Sequence, residues 1–437
     1  MSKEATAPVH AAAAAAAAKR SKKKGGKRGD RSFGYLLAIG GCMGVTIMAV
    51  FLALTGESGK KKSRATSALD NLVNDNSAIK SVNNREESTF TAAAMDMFKG
   101  WSILDAQYSL DGQTLSPLAG MAGAIQYCEK PDSSFESGIM PINFDGRQKW
   151  PGCIADVVDS GNCSAGYAVA AATSLAARYC VADAEKYNGT RLSSQQVLSC
   201  DKKSRGCEGG GIDAVWAYVE RRGLYPEACL PFKGKAGAEC KTDCDASKKL
   251  KTLSHCMLRE GDVKAIKKEI LKSGPVVVPV PLREEFLIYS GGIYQPTASA
   301  PLQGPDGKTM LQAVTIVGWG KSEGVAFWLV QNSWGTQWGE EGYARIALDV
   351  PMEHNVIIGV PETEETLAAA AAAKKLAEEK REQARKDRAE REERLAAQRA
   401  AAAESKEQDE LDSLDDSFEE SPDEGDLDLD LDDLEEA

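Results

Sequence analysis

Cysteine and histidine side chains are the first candidates for chemistry in this chain of 437 residues. A cysteine becomes a catalytic nucleophile when a nearby imidazole helps to keep its thiol ionised. The sequence has eleven cysteines but only three histidines, His10, His255 and His354. His10 lies in a basic N-terminal arm. His255 lies in a predicted linker between a helical part of the chain and a later strand-rich part, and His354 follows the last predicted strands. We therefore expect each histidine to be a structural or surface residue.

A series of motifs that begins at residue 141 and ends at residue 343 resembles the mature domain of papain-family cysteine peptidases. The resemblance is closest to the cathepsin B and cathepsin C branches, and it covers roughly half of the chain. The motifs are PINFDGRQKWPGC at 141–153, SGNCSAGYA at 160–168, LSSQQVLSC at 192–200, GCEGG at 206–210, EACLPF at 227–232, AVTIVGWG at 313–320 and NSWGTQWGEEGY at 332–343. The resemblance implies an α+β fold with a helical lobe and a β-barrel-like lobe.

Catalysis in this family needs a cysteine at a helix N-terminus, a histidine, an asparagine that orients the histidine, and a glutamine that helps to hold the oxyanion. In the matching motifs the cysteine position is Gly166, the histidine position is Gln312 and the glutamine position is Ser160. Asn332 and the tryptophan that covers it, Trp334, are retained. Because nucleophile and base act as a unit, the sequence predicts a pseudopeptidase without catalytic residues.

The rest of the scaffold is similar to that of the family. Glu208, Gly209 and Gly210 resemble the strand along which family members lay the substrate backbone. The resemblance also implies four disulfides, which are Cys153–Cys180, Cys163–Cys207, Cys200–Cys240 and Cys229–Cys244. Cys128 and Cys256 are left over. Only the fact that two cysteines remain suggests that they pair with each other.

Zinc binding is the alternative role for four of these cysteines, Cys200, Cys207, Cys240 and Cys244. Their spacings of seven and four residues differ from the CxxC pairs of common zinc sites. We therefore favour disulfides, and we expect neither a metal nor another cofactor. Ten cysteines between residues 128 and 256 indicate folding in an oxidising compartment.

A membrane anchor is predicted near the N-terminus. Residues 33–55 carry no charge and are long enough to cross a bilayer. A block of eight basic residues at 19–31 precedes this stretch and four basic residues follow it closely, so the positive-inside rule places the N-terminus in the cytosol. A cleaved signal peptide is the alternative, but its apolar region is normally about 7–15 residues long. We expect a single-pass type II membrane protein whose folded domain is lumenal, in a lysosome-like or other endomembrane compartment, or extracellular.

A glycosylation sequon in a loop-like position agrees with a lumenal domain. It is Asn188-Gly189-Thr190, which fits the acceptor pattern for N-linked glycans.

Charge is distributed unevenly along the chain. Residues 404–437 contain 18 acidic residues and one lysine, within a total formal charge of −12. We expect this tail to be disordered. Three roles are open for it, which are binding of a basic partner, weak binding of divalent cations, and solubility alone. Basic residues do not gather on the predicted folded domain, so a nucleic-acid partner is not expected.

A charged helix is predicted between the papain-like domain and the acidic tail. Three pairs at i,i+4 spacing support it, namely Glu382–Lys386, Asp387–Arg391 and Glu390–Arg394. A coiled coil is the less favoured alternative, because Leu367, Leu376 and Leu395 keep no heptad register.

Six regions result. They are a basic cytosolic arm (1–32), the anchor (33–55), a propeptide-like linker (56–137), the papain-like domain (138–361), the charged helix (362–403) and the acidic tail (404–437).

Within these regions, hydrophobic patterning predicts several elements. We expect helices at 212–222 and 263–273, buried strands at 276–280, 313–317, 327–330 and 343–346, and weak helicity at 91–108.

The expected function is that of a membrane-anchored, inactive cathepsin-like protein. Its cleft either binds a peptide or protein partner, or is filled by the chain's own residues 57–137 in a purely structural subunit. The alternative is an active peptidase with an unrecognised nucleophile, but the nearby Ser164 has no base in the sequence pattern.

Overall fold

A nine-stranded sheet forms the centre of the computed structural model, which describes residues 70–110, 127–128, 140–237, 239–240, 243–258, 261–296, 300–304, 307–352 and 356–416. The strands are β1 Phe90–Ala92, β2 Phe144–Asp145, β3 Thr252–Leu258, β4 Val276–Pro281, β5 Tyr289–Tyr294, β6 Leu311–Ser322, β7 Val325–Gln331, β8 Tyr343–Ala347 and β9 Val356–Pro361. Their order is β1-β5-β8-β7-β6-β4-β9-β3, and β2 pairs with β6. The β5–β8 pair is parallel and the other pairs are antiparallel. The four buried strands predicted from apolar runs are confirmed as parts of β4, β6, β7 and β8.

Ten α-helices accompany this sheet in the described residues. They are α1 Asn76–Asn83, α2 Ile103–Leu110, α3 Gly146–Lys149, α4 Gly166–Ala182, α5 Ala184–Tyr187, α6 Ser194–Cys200, α7 Ile212–Arg222, α8 Val263–Ser273, α9 Glu284–Leu287 and α10 Glu364–Asp416. The predicted helices at 212–222 and 263–273 are confirmed as α7 and α8. Asp262 caps α8 because its Oδ1 accepts a hydrogen bond from the Ala265 N–H at 2.9 Å. Gly223 and Gly274 follow the two helices with φ values of +68° and +101°, which glycine adopts without strain.

Both faces of the sheet are buried, so neighbouring residues of one strand belong to different cores. In β4, Val276 and Val278 face one hydrophobic cluster, whereas Val277 faces the cluster formed with α4, α6 and α7. This alternation is the normal consequence of the two-residue period of a strand. The indole of Trp216 from α7 covers β9 so closely that a Cβ at Gly359 would lie 2.2 Å from its ring. The helical lobe and the sheet are therefore one packed structure.

The segment before the papain-like domain contributes to the hydrophobic cluster that Val276 and Val278 face. Phe98 and Ala106 are fully buried there, and the backbone of β1 pairs with β5. The predicted weak helicity at 91–108 is confirmed for α2 and for a 3-10 turn at Asp96–Phe98. The rest of the prediction is wrong because Phe90–Ala92 forms strand β1, whose pairing partner lies 200 residues later in the chain.

Helix α10 extends the chain beyond the papain-like domain. Its 53 residues correspond to a length of about 80 Å. The described side chains of its middle and end are exposed, including Leu376 and Leu395. Lys386 Nζ lies 3.2 Å from Glu382 Oε1, as predicted, whereas Asp387 accepts a hydrogen bond from Gln383 instead of pairing with Arg391.

The predicted boundary between helix and disordered tail is wrong, because α10 continues from residue 404 to Asp416. Helix propagation adds one backbone hydrogen bond for each residue fixed, and Gln408 Nε2 also donates to Asp412 Oδ1 at 3.0 Å within this stretch. Residues 417–437 lie outside the described residues.

The predicted membrane anchor, residues 33–55, also lies outside the described residues. Among the helices that are described, none combines the length and the apolar character needed to cross a membrane.

Five disulfides join the described part of the chain. The four pairs implied by the family resemblance are present, and Cys128 and Cys256 form the fifth. Cys200, Cys207, Cys240 and Cys244 are thus distributed over three bridges, so they do not form a zinc site.

A buried ion pair joins the central helix α4 to α8. Arg178 is 2% exposed, and its Nη2 donates to Glu269 Oε1 at 2.5 Å. Its Nη1 also donates to the carbonyl of Gly274 at 3.3 Å, just after α8 ends. A single guanidinium therefore satisfies a carboxylate and a helix-terminal carbonyl.

We expect Arg178→Ala to lower the free energy of unfolding by about 3 kcal/mol or more, because the mutation leaves the partly buried Glu269 carboxylate without its partner. Chemical denaturation followed by circular dichroism measures this loss. The matched control is Arg388→Ala, which breaks an exposed pair with Glu392 on α10 and should cost less than about 1 kcal/mol. Equal losses in the two variants would contradict the assigned role of Arg178.

Candidate active-site cleft

The cleft begins where the nucleophile position starts helix α4. Gly166 is the first residue of this helix, and Ala165 precedes it without a side-chain capping bond. A Cβ placed on Gly166 would lie 2.8 Å from Gln312 Nε2. The space that a nucleophilic side chain would enter is therefore occupied by the amide of Gln312.

Gln312 replaces the expected histidine on strand β6, and it keeps the hydrogen bond to the orienting asparagine. Its Nε2 donates to Asn332 Oδ1 at 2.8 Å and to Ser333 Oγ at 3.2 Å. Gln312 and Asn332 are 4% and 3% exposed. A carboxamide donates hydrogen bonds as an imidazole N–H does, but it takes up no proton near neutral pH. Gln312 therefore packs into the site and keeps a hydrogen bond to Asn332, but its side chain cannot act as a base.

Asn332 and Trp334 are both buried beside the cleft. Asn332 Oδ1 also accepts the backbone N–H of Ser333 at 2.8 Å. The Trp334 ring packs edge-to-face against Phe98 and Trp338, with centroid distances of 5.8 and 5.1 Å. Since Phe98 belongs to the segment before the domain, this segment contacts the covering tryptophan directly.

Ser160, at the oxyanion-glutamine position, is buried and held by its backbone, because its N–H donates to the Ser333 carbonyl at 2.9 Å. Its side chain carries a hydroxyl and no amide.

The predicted groove residues, Glu208, Gly209 and Gly210, lie at the end of the 3-10 turn Gly206–Glu208 and do not form a strand. Gly209 has a φ of +93°, which favours glycine. A Cβ at Gly210 would lie 2.4 Å from the ring of Tyr167. Tyr167, which stands at the family's tryptophan position, donates its hydroxyl to the Gly206 carbonyl at 3.0 Å. Burial raises the pKa of Tyr167, which keeps the hydroxyl protonated as this donor.

The chain itself covers this groove. Helix α2 lies against the 3-10 turn Gly206–Glu208. Ser164 Oγ donates to the Ser109 carbonyl of α2 at 2.8 Å, and Leu110 at the end of α2 is buried. The sequence indicated that residues 57–137 could fill the cleft, but it carried no signal for which of them do.

Histidine is absent from the cleft in the described part of the chain. His255 lies within strand β3, so its predicted place in a linker is wrong, and its Nδ1 is 2.8 Å from Glu220 Oε2. Strand β3 is three strands away from β6 in the sheet order, a separation of roughly 14 Å. The linker prediction failed because apolar and polar residue types do not alternate clearly in the sequence of residues 252–258. His10 and His354 lie outside the described residues.

Comparison with known proteins places this cleft in a family. A family model described as "Papain family cysteine protease" matches residues 140–359, which is half of the chain. The chain belongs to the papain family. The sequence is 31% identical over 252 residues to cathepsin B-like CP3 of Giardia intestinalis, covering 54% of this chain and 80% of that protein. It is 32% identical over 235 residues to human tubulointerstitial nephritis antigen, covering 47% and 49% of the two chains.

Solved structures agree with the fold. Procathepsin B S9 from Trypanosoma congolense matches with a TM-score of 0.58 and 25% identity, over 67% of this chain and all of that chain. The structural match covers 67% of this chain, whereas the family model matches only half of it. The likeness to that proenzyme therefore includes residues outside 140–359.

We expect Gly166 and Gln312 to be energetically coupled. Gly166→Ala should lower the free energy of unfolding by about 1–3 kcal/mol, because the new methyl group displaces a buried amide from its hydrogen bonds. In a Gln312→Ala background the same mutation should be neutral or stabilising, since alanine favours a helix.

A double-mutant cycle in urea measures this coupling, and we expect an interaction energy of at least about 1 kcal/mol. Additive effects of the two mutations would show that the amide does not occupy the nucleophile's space.

Proposed function

We propose that this protein is a catalytically inactive, membrane-anchored member of the papain family that acts as a structural or binding subunit. The observation that carries the proposal is the amide of Gln312, which fills the space beside Gly166 and donates to Asn332. A residue in this place neither ionises a thiol nor transfers a proton. The retained Asn332 then serves as the acceptor for a buried amide.

Loss of both reacting groups removes the chemistry as a whole. Nucleophile and base depend on each other, so one cannot retain its function when the other is missing. Ser164 is the nearest serine in sequence, but it donates to the Ser109 carbonyl and is 5% exposed. The described residues place no imidazole beside it, so this geometry argues against an alternative serine nucleophile.

Between the two non-catalytic roles, the covered groove favours the structural one. A peptide that entered along Glu208, Gly209 and Gly210 would have to displace α2 from the turn Gly206–Glu208. It would also have to break the bond between Ser164 and Ser109. We infer that a protein partner binds elsewhere while α2 is in place.

The long helix α10 supports a role in reaching such a partner. It starts at the papain-like domain, where Thr363 and Thr366 cap it reciprocally. Residues 404–412 of this helix contain five acidic residues and one lysine, which is a net charge of −4. We propose that it holds the acidic tail about 80 Å from the domain, where a basic protein or, weakly, divalent cations would bind.

The disulfides support a lumenal or extracellular location for the domain. Five bridges are typical of a protein that folds in an oxidising compartment. Together with the uncharged stretch at 33–55, they support a type II membrane protein of the endomembrane system or cell surface.

We expect the purified, oxidised full-length protein to show no turnover of papain-family peptide substrates and no labelling by thiol-directed epoxides. Gly166→Cys alone should remain inactive, because Gln312 fills the neighbouring space. The combination of Gly166→Cys, Gln312→His and Ser160→Gln should give trace turnover. Mass spectrometry locates any label, and turnover by the unmodified protein that one cleft mutation abolishes would refute the proposal.

We expect protease added to sealed microsomes to remove only the short N-terminal arm. Asn188 follows helix α5 and is exposed, so it should carry a glycan that a glycosidase removes. Asn188→Gln, the matched control, should eliminate the shift in gel mobility. Digestion of the papain-like domain from outside the vesicle would show that the orientation is reversed.

A further inference from the structure

The segment before the papain-like domain reaches both edges of the nine-stranded sheet. At one edge, β1 pairs with β5. At the other edge, Tyr127 forms a parallel bridge with Met257 of β3, and the Cys128 N–H donates to the Met257 carbonyl at 2.9 Å. Edge strands offer unpaired backbone groups, and this segment uses them at both ends of the sheet.

One of these two attachments is covalent. The disulfide Cys128–Cys256 joins two residues that are 128 positions apart in the chain. Cys128 precedes the family match, which starts at residue 140, whereas Cys256 lies inside strand β3. The bridge therefore crosses the boundary between the segment and the papain-like domain.

Side chains of the segment add contacts with strand β5 and helix α9. The Phe90 ring packs edge-to-face on Tyr294 with a centroid distance of 5.2 Å. Arg85 Nη1 lies 3.0 Å from Glu285 Oε1, whose side chain is 9% exposed. Between these contacts and the disulfide, α2 lies on the groove. The described parts of the segment thus form a strap that is fixed at both ends.

We propose that the part of the chain up to residue 128 remains attached as a disulfide-linked second chain when the backbone is cut between residues 129 and 139, so helix α2 stays on the groove in the processed protein. The inference rests on the covered groove of the proposed function, and it adds that cleavage alone does not uncover it. A tether keeps the effective concentration of the freed segment at the millimolar level, so its contacts re-form after each opening.

Release would need a dithiol reductant in addition to the cut. The reductant supplies two electrons and two protons to the Cys128–Cys256 bond and becomes a disulfide, while the two cysteines become thiols. The segment would then be held only by its packing and hydrogen bonds.

The test uses the full-length protein with a site-specific protease sequence inserted between residues 130 and 138. After cleavage, gel filtration at high dilution without reductant should keep the fragment with the domain, and a non-reducing gel should show one band. Cys128→Ser combined with Cys256→Ser should release the fragment. Cys229→Ser combined with Cys244→Ser removes a bridge elsewhere in the domain and should retain it.

Two results would overturn the inference. One is loss of the fragment from the cut, oxidised protein, and the other is full retention in the Cys128→Ser/Cys256→Ser variant. Both are read from fragment mass and not from activity. Loss of the fragment without epoxide labelling would refute retention alone, whereas labelling in the cleft with the fragment retained would refute inactivity alone.

Discussion

Burial of strand β6 on both faces is the constraint on which the cleft depends. Its first ten residues, from Leu311 to Gly320, are buried, so a polar side chain there needs a hydrogen-bond partner within the protein. Gln312 finds this partner in Asn332, across the strand pairing of β6 and β7. A glutamine at the position is therefore compatible with the fold as long as Asn332 supplies its carbonyl oxygen.

The glycine at the start of α4 follows from the same constraint. Any side chain at Gly166 would compete with the Gln312 amide for one space in a close-packed interior. Glycine costs some helix stability, but at the first residue of a helix this cost is small beside that of an unsatisfied buried amide. The two replacements are thus complementary, and the structure explains them as a pair.

The parts of the fold that the sequence predicted are those that local signals determine. The runs Val276–Val280 and Ala313–Val317 are continuous and apolar, and Asp262 and Gly274 bound α8 with cap residues. Strand β1 could not be predicted in this way, because three residues of weak pattern become a strand only by pairing with β5. The pairing of Cys128 with Cys256 likewise depends on where the segment crosses the sheet edge.

For the site, the sequence shows which residue types stand at the family's catalytic positions, but not how these side chains fit together. The motif places Gly166 and Gln312 at the two reacting positions, yet only packing shows the amide of one in the space of the other. Retention of Asn332 and Trp334 then has a structural reason. Asn332 accepts the hydrogen bond of the Gln312 amide, and Trp334 packs against Phe98 of the segment before the domain, so both residues contribute to the packing of the cleft.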